Sequence, residues 1–206
     1  MSLRMSTASD EVIASGLLED TVVLITSDHG DAFGEHDFWM HAWTVYEEQV
    51  HVPFYIKPLG PREREVDHTP ISGMQVPHFL LRELGFESGP LPETGGVVSE
   101  WYHARPVFRA VEWGRVTGHD VTADLLAWVE GDRKFIAGSD GSVEAYDLSR
   151  DPGETTPLEL SEQELEAARA RARAWWAEHP PLEPEESSEE GVDEDTLDRL
   201  KGLGYL

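Results

Sequence analysis

The sequence predicts an α/β fold, in which a strand-and-helix core precedes a small antiparallel β-sheet and a C-terminal helix. A β-branched apolar run over residues 22–26 ends abruptly in Ser-Asp-His-Gly, which is typical of a strand buried on both faces. Apolar residues recur at helical spacing over 74–85. After residue 97, short apolar segments alternate with turn signals, the pattern of an antiparallel sheet.

The N-terminal part contains several elements around this first strand. We expect a short helix over 10–18, then the strand, a loop over 31–42, one or two helical turns over 43–49, and a short edge strand over 50–56. The helix over 74–85 ends at Gly85, a residue that favours helix termination.

The C-terminal part is predicted to contain five strands and a helix. The strand candidates are residues 97–102, 107–113, 125–129, 134–137 and 143–148. The helix over 161–177 begins with Ser161 and Glu164 in capping-box spacing. Its buried stripe is expected to contain Leu165, Ala168, Ala172 and Trp175 or Trp176.

Composition excludes several kinds of partner and site. The chain has 206 residues and a net charge of −25, from 16 basic and 41 acidic side chains, so its surface repels nucleic acid and anionic membranes. It has no cysteine, which excludes disulfides, thiolate metal sites and a cysteine nucleophile. No apolar run of about 18 residues predicts a membrane span. The missing cysteines and the lack of a signal-peptide pattern favour the cytoplasm.

Asp28 and His29 follow the first strand at its carboxyl end, where open α/β sheets bind ligands. A carboxylate oxygen beside an imidazole suits a divalent metal ion. Both side chains can reach one ligand only if the chain has left strand geometry, and Gly30 permits a sharp turn. The alternative is that Asp-His-Gly is simply a turn that ends the strand.

The surrounding residues resemble a known family. Residues 26–53, TSDHGDAFGEHDFWMHAWTVYEEQVHVP, resemble the second metal-binding segment of the sulfatases, which belong to the alkaline-phosphatase-like superfamily. That segment usually has the pattern SDHGE, GEHG, Lys or His, YEE, and then Arg or His before VP. The resemblance continues through DRKFI at 132–136, EAYDLSRDPGE at 144–154, and the closing LKGLGYL.

The resemblance implies a fold and an organisation of the chain. Residues 1–96 would be the C-terminal part of the sulfatase core domain with its metal-binding loop, and residues 97–157 a small antiparallel subdomain. We expect a helix over 158–177, an acidic disordered linker over 178–192, and a terminal helix over 193–206.

The resemblance also implies a chemistry, which is hydrolysis of sulfuric esters carried by a small molecule or a glycan. Asp28 and His29 would be two ligands of a divalent metal, usually Ca²⁺, although the histidine makes Mn²⁺ or Zn²⁺ an alternative. His41 stands where the family has a Lys or His that contacts the sulfate; otherwise it is a loop histidine between Trp39 and Trp43. We expect His36 to be structural.

Other functions stay open because the family's nucleophile motif, Cys/Ser-x-Pro-x-Arg, does not occur in these 206 residues. The chain alone is therefore expected not to hydrolyse sulfate esters. One alternative is a phosphoesterase or phosphonate hydrolase of the same superfamily. Another is a non-catalytic remnant or partner subunit. An unpaired strand edge in such a chain would favour self-association.

Overall fold

A computed structural model describes residues 15–16, 18–41, 43–60, 63, 65–87, 89, 97–102 and 123–180. The chain divides into two compact units, Met1–Ala174 and Trp175–Leu206. The packing and the site described below belong to the first unit. The predicted helix over 10–18 lies largely outside the described residues, and the strand over 107–113 and everything beyond residue 180 lie outside them entirely.

The first strand forms as predicted, but it is not buried on both faces. Strand β1, Val23–Ile25, pairs antiparallel with β4, Tyr55–Lys57, so that Ile25 lies opposite Tyr55. Ile25 is 56% exposed and Tyr55 is 63% exposed. The reason is that, within the described part of the chain, β1 and β4 form a sheet of two strands only, which offers too little surface to be covered on both faces.

The segment predicted as a loop over 31–42 contains a short hairpin. Strand β2, Ala32–Phe33, pairs with β3, Trp39–Met40, and a 3₁₀ turn over Glu35–Asp37 joins them. Gly34, with φ of 114°, allows the tight reversal. Ala32 and Phe38 are buried and pack together, which fixes the hairpin to the rest of the unit.

Two helices follow the hairpin. Helix α1, Glu47–Val50, confirms the predicted helical turn. The edge strand predicted over 50–56 begins only at Tyr55. Helix α2, Val76–Glu83, follows a 3₁₀ turn over Gly73–Gln75. Ser72 and Gln75 form a capping box at the start of that turn, and Gly85 lies just past the helix with φ of 78°.

The remaining strands form a four-stranded antiparallel sheet in sequence order. They are β5 at Val97–Trp101, β6 at Leu125–Glu130, β7 at Arg133–Gly138 and β8 at Val143–Asp147. These strands confirm four of the five predicted strands. The turn between β7 and β8 is closed by Asp140, whose carboxylate accepts hydrogen bonds from the Ser142 N–H (2.9 Å) and hydroxyl (2.7 Å).

Alternating residues give this sheet two packed faces. On one face, Ala127, Ile136 and Tyr146 form a core with Val45, which lies just before α1. On the other face, Trp128 stacks on Phe135, with ring centroids 5.3 Å apart. The sheet is therefore packed on one face against the segment that leads into α1 and on the other against a helix from the C-terminal part of the chain.

Helix α3, Glu162–Glu178, covers that second face. Arg171 lies 4.8 Å from the Trp128 ring centroid, and Arg169 donates to the Gly141 carbonyl at 2.9 Å. The predicted capping box is present, because Ser161 N–H donates to the Glu164 carboxylate (2.9 Å) and Glu164 N–H to the Ser161 hydroxyl (3.3 Å). Ala168 and Ala172 are buried, as predicted for the stripe, whereas Leu165, Trp175 and Trp176 are half-buried.

A buried ion cluster joins the sheet to α1. The Lys134 ammonium, on β7, lies 2.8 Å from a Glu47 carboxylate oxygen and 2.9 Å from Glu154 Oε1. The Lys134 side chain is 1% exposed and that of Glu154 is fully buried. The other Glu154 oxygen accepts the Glu47 backbone N–H at 2.5 Å. Burial raises the pKa of Glu154, while the adjacent Lys134 opposes that shift.

His36 anchors the hairpin to the same region, as predicted for a structural residue. Its Nδ1 donates to the Glu48 carboxylate at 2.9 Å and its Nε2 donates to the Glu154 carbonyl at 2.9 Å. The ring also stacks on Tyr46, with centroids 3.7 Å apart. The bond to Glu48 raises the pKa of His36, because both ring nitrogens face acceptors.

Among the residues that the structure describes, no helix combines the length and the apolar composition needed to cross a membrane.

We predict that Lys134→Met will lower the free energy of unfolding by about 3–5 kcal/mol, because it leaves two carboxylates buried without their cation. Urea unfolding followed by circular dichroism measures this change. Arg150→Met is the matched control: Arg150 pairs with Asp147 at 3.6 Å but is 86% exposed, so its loss should cost less than about 1 kcal/mol. Equal losses in the two variants would contradict the role assigned to the buried cluster.

Candidate metal and sulfate site

The turn after β1 holds Asp28 and His29 in a fixed conformation. The Ser27 hydroxyl donates to the His29 carbonyl at 2.6 Å, and the His29 N–H donates to Asp28 Oδ1 at 3.1 Å. Gly30 N–H donates to the Gln49 carbonyl at 2.9 Å, which ties the turn to α1. A Cβ at Gly30 would overlap the Glu48 carbonyl oxygen, so a residue without a side chain is required at this close approach.

His29 and His41 come together although they lie on opposite sides of the hairpin in sequence. Their rings stack with centroids 4.2 Å apart and an interplanar angle of 27°. His41 Nδ1 donates to Asp31 Oδ1 at 2.9 Å. One potential ligand atom from each of His29, Asp31 and His41 lies within 4.8 Å of the other two. His41 therefore packs on His29, and the sequence prediction had not included Asp31.

Asp28 lies beside this cluster rather than in it. Its side chain is 82% exposed, and Oδ2 is 3.8 Å from His29 Nε2. A hydrogen bond from its own backbone N–H, followed by the nearby His29, lowers the pKa of Asp28, so the carboxylate stays ionised. The prediction grouped Asp28 with His29; the fold adds Asp31 and His41 to His29.

A cavity of about 830 Å³ opens beside these residues. It is bordered by the turn after β1, by His41, and by residues of α1 and β5, among them Gln49, Val50 and Trp101. The polar groups of Asp28, His29 and His41 thus line a cavity whose other walls are largely apolar. This combination is typical of a small-molecule site.

Comparison with known proteins identifies the family. The Sulfatase family model matches residues 10–86, the segment that contains Asp28, His29, Asp31 and His41. The chain is 30% identical over 156 residues to choline-sulfatase of Rhizobium meliloti, and 29% identical over 156 residues to arylsulfatase K of Bos taurus. Residues 10–86 of this chain belong to the sulfatase family. This membership confirms the resemblance carried by residues 26–53.

The match covers only part of each relative. It includes 72% of this chain but 29% of the choline-sulfatase, and 69% of this chain but 28% of the arylsulfatase K.

Two solved structures share the fold. One is a 2-O GAG sulfatase, with a TM-score of 0.56, 22% identity, and coverage of 77% of this chain and 36% of that one. The other is BT4656 in complex with its substrate D-glucosamine-2-N,6-O-disulfate. It has a TM-score of 0.54 and 18% identity, and the match covers 86% of this chain and 39% of that one.

The donors of this sulfatase-family chain fit a divalent metal ion. His29 Nδ1 lies 3.0 Å from the Gly30 carbonyl, which is an acceptor, so in the neutral tautomer that donates there Nε2 offers the lone pair. Asp28 offers an ionised carboxylate 3.8 Å from that nitrogen. An anionic oxygen and a neutral imidazole nitrogen are both ligands that divalent ions accept.

We predict that Gly30→Ala will lower the free energy of unfolding by about 1–3 kcal/mol and disturb the turn, because the new methyl group meets backbone that cannot rotate away. Thermal unfolding and the imidazole NMR signals of His29 and His41 report the two effects. Gly73→Ala is the control, since a Cβ at Gly73 meets nothing within 4 Å. Unchanged stability and unchanged imidazole signals in the Gly30 variant would contradict the close approach.

Proposed function

We propose that this chain supplies part of the active site of a sulfuric ester hydrolase. In this proposal Asp28 and His29 hold a divalent metal ion, and His41 contacts the sulfate group. The observation that carries it is the stacking of His29 on His41 in the lining of the cavity, within the segment that the Sulfatase model matches. Ca²⁺ is the first choice of ion, with Mn²⁺ or Zn²⁺ as alternatives because one ligand is an imidazole.

The bound ion would supply positive charge that offsets the negative charge of the sulfate oxygens. Asp28 and His29 are suited to hold it because the Ser27 and Gly30 hydrogen bonds fix their backbone before any ligand arrives. Such preorganisation removes the need to reorder the loop on binding.

His41 is suited to contact the sulfate because Asp31 positions it. The Asp31 carboxylate accepts the Nδ1 proton at 2.9 Å, which orients the ring. In the imidazolium form of His41, Nε2 also carries a proton and can donate it to a sulfate oxygen or to the leaving oxygen, where negative charge develops. In this proposal Asp31 is a positioning residue.

The reaction also needs a nucleophile, which the proposal assigns to residues outside these 206. The chain spans less than a third of the curated relatives named above, so activity belongs to the longer protein. A sulfate ester of a small molecule or a glycan is the proposed substrate. The substrate named for BT4656, a sulfated glucosamine, supports the glycan class. The cytoplasm remains a prediction that rests on the cysteine-free sequence.

The decisive experiment begins with the reading frame that encodes this chain. We expect its upstream part to encode Cys/Ser-x-Pro-x-Arg, and the protein expressed from the whole frame to hydrolyse 4-nitrophenyl sulfate. His41→Ala and Asp28→Asn should each lower kcat by about 10²–10³, the loss typical of removing one group that stabilises developing charge. The exposed His68 supplies the control variant, His68→Ala, which should keep full activity.

Three results would contradict the proposal. A frame without the nucleophile motif would support the non-catalytic alternative. Faster turnover of 4-nitrophenyl phosphate than of the sulfate would support a phosphoesterase. Full activity in His41→Ala would remove this histidine from the sulfate contact.

We also propose that the 206-residue chain self-associates through the β1–β4 pair, whose Ile25 and Tyr55 are more than half exposed. Light scattering after size exclusion should show a dimer or larger species. Ile25→Lys should shift it to monomer, because a charge on an open strand opposes edge pairing. Val66→Lys is the control, since Val66 is 60% exposed but lies outside any strand. A monomeric parent chain would contradict this proposal.

A further inference from the structure

We infer that His29, Asp31 and His41 form a three-donor site that binds Zn²⁺. Its ligand set differs from the Asp28–His29 pair of the proposed active site, since it adds Asp31 and His41 and omits Asp28. The inference concerns donors that the chain itself brings together, so it holds whether or not the longer protein hydrolyses sulfate esters. Three steps lead to it.

The first step is the chemistry of the donors. Two imidazole nitrogens and one carboxylate oxygen are the kind of set that zinc uses when three protein ligands leave one position open. Calcium instead takes about 6–8 oxygen ligands, and this cluster offers one carboxylate. The donor set therefore favours a borderline transition metal over calcium.

The second step is distance. Around a tetrahedral zinc with bonds of about 2.0–2.1 Å, neighbouring ligand atoms lie about 3.3–3.4 Å apart. His41 Nδ1 and Asp31 Oδ1 are 2.9 Å apart, and the three candidate ligand atoms lie within 4.8 Å of one another. The separations therefore exceed the spacing around a tetrahedral zinc ion by at most about 1.4 Å.

The third step is orientation and access. His29 Nδ1 lies 3.0 Å from the Gly30 carbonyl, and a ligating histidine commonly makes such a bond with its second nitrogen, which leaves Nε2 as the candidate ligand atom. Asp31 and His41 flank the two strands of the hairpin, next to the Ala32–Met40 pair, so hairpin pairing fixes their separation. The side chains of His29, His41 and Asp31 are 39%, 36% and 47% exposed, so an ion can enter from solvent.

Isothermal titration calorimetry of Zn²⁺ into the 206-residue chain at pH 7.5 tests the inference. We expect one site of higher affinity than the background of exposed carboxylates. Asp31→Asn and His41→Ala should each weaken it at least about 10-fold, since even partners outside the first shell typically cost that much. Circular dichroism of each variant confirms that the loss is not a loss of fold.

Two further variants make the test selective. His51 Nδ1 lies 3.0 Å from the Glu47 carboxylate, a similar histidine–carboxylate pair without a third donor, so His51→Ala should leave zinc affinity unchanged. Asp28→Asn separates the two ligand sets: zinc affinity should persist here, although the proposed sulfatase activity should fall. The inference is overturned if the parent chain binds no zinc at a discrete site, if Asp31→Asn binds as tightly as the parent, or if Asp28→Asn loses as much affinity as Asp31→Asn.

Discussion

The contact between Lys134 and two glutamates holds the rest of this structure in place. Lys134 comes from the middle of the four-stranded sheet, and Glu47, 87 residues away in sequence, begins α1. Because Glu154 also accepts the Glu47 backbone N–H, α1 is fixed at its first residue. The next two residues of α1 then meet Gly30, through the Glu48 and Gln49 carbonyls. The position of the Asp28–His29 turn thus depends on a strand from the C-terminal sheet.

A buried ion cluster joins two elements at a cost in desolvation free energy, and an apolar contact of the same size is often as stable. What the cluster adds is direction. The ammonium lies within 2.9 Å of both carboxylates and hydrogen-bonds to that of Glu47, so a shifted α1 would leave a charge buried without a partner. Apolar packing of Val45 against Ala127 and Ile136 tolerates small shifts that this cluster does not. The site therefore gains precision from charges that contribute little to net stability.

The elements of the fold could be predicted wherever periodicity was strong, as for β6 to β8, for α2 and for the capped α3. The exposure of Ile25 could not be predicted. An apolar run indicates that the faces of a strand need to be covered, but it does not show whether the chain supplies the elements that cover them. The hairpin was missed because β2 and β3 have two residues each, too few for an alternating pattern, and depend on the backbone of Gly34. Asp31 was missed for the same reason: only hairpin pairing brings it beside His41. The motif alone indicated Asp28, His29 and His41.

The hairpin also decides which chemistry His41 can perform. With Asp31 on Nδ1, the imidazolium form of His41 can donate from Nε2 to a sulfate oxygen. The same residue, stacked on His29, is half of a nitrogen pair suited to zinc. A metal ion bound at Nδ1 would replace the proton that Asp31 accepts, and the neutral ring would keep its proton on Nε2. The two uses therefore differ in what holds the Nδ1 side of the ring, which is Asp31 in the sulfate contact and the metal ion in the zinc site.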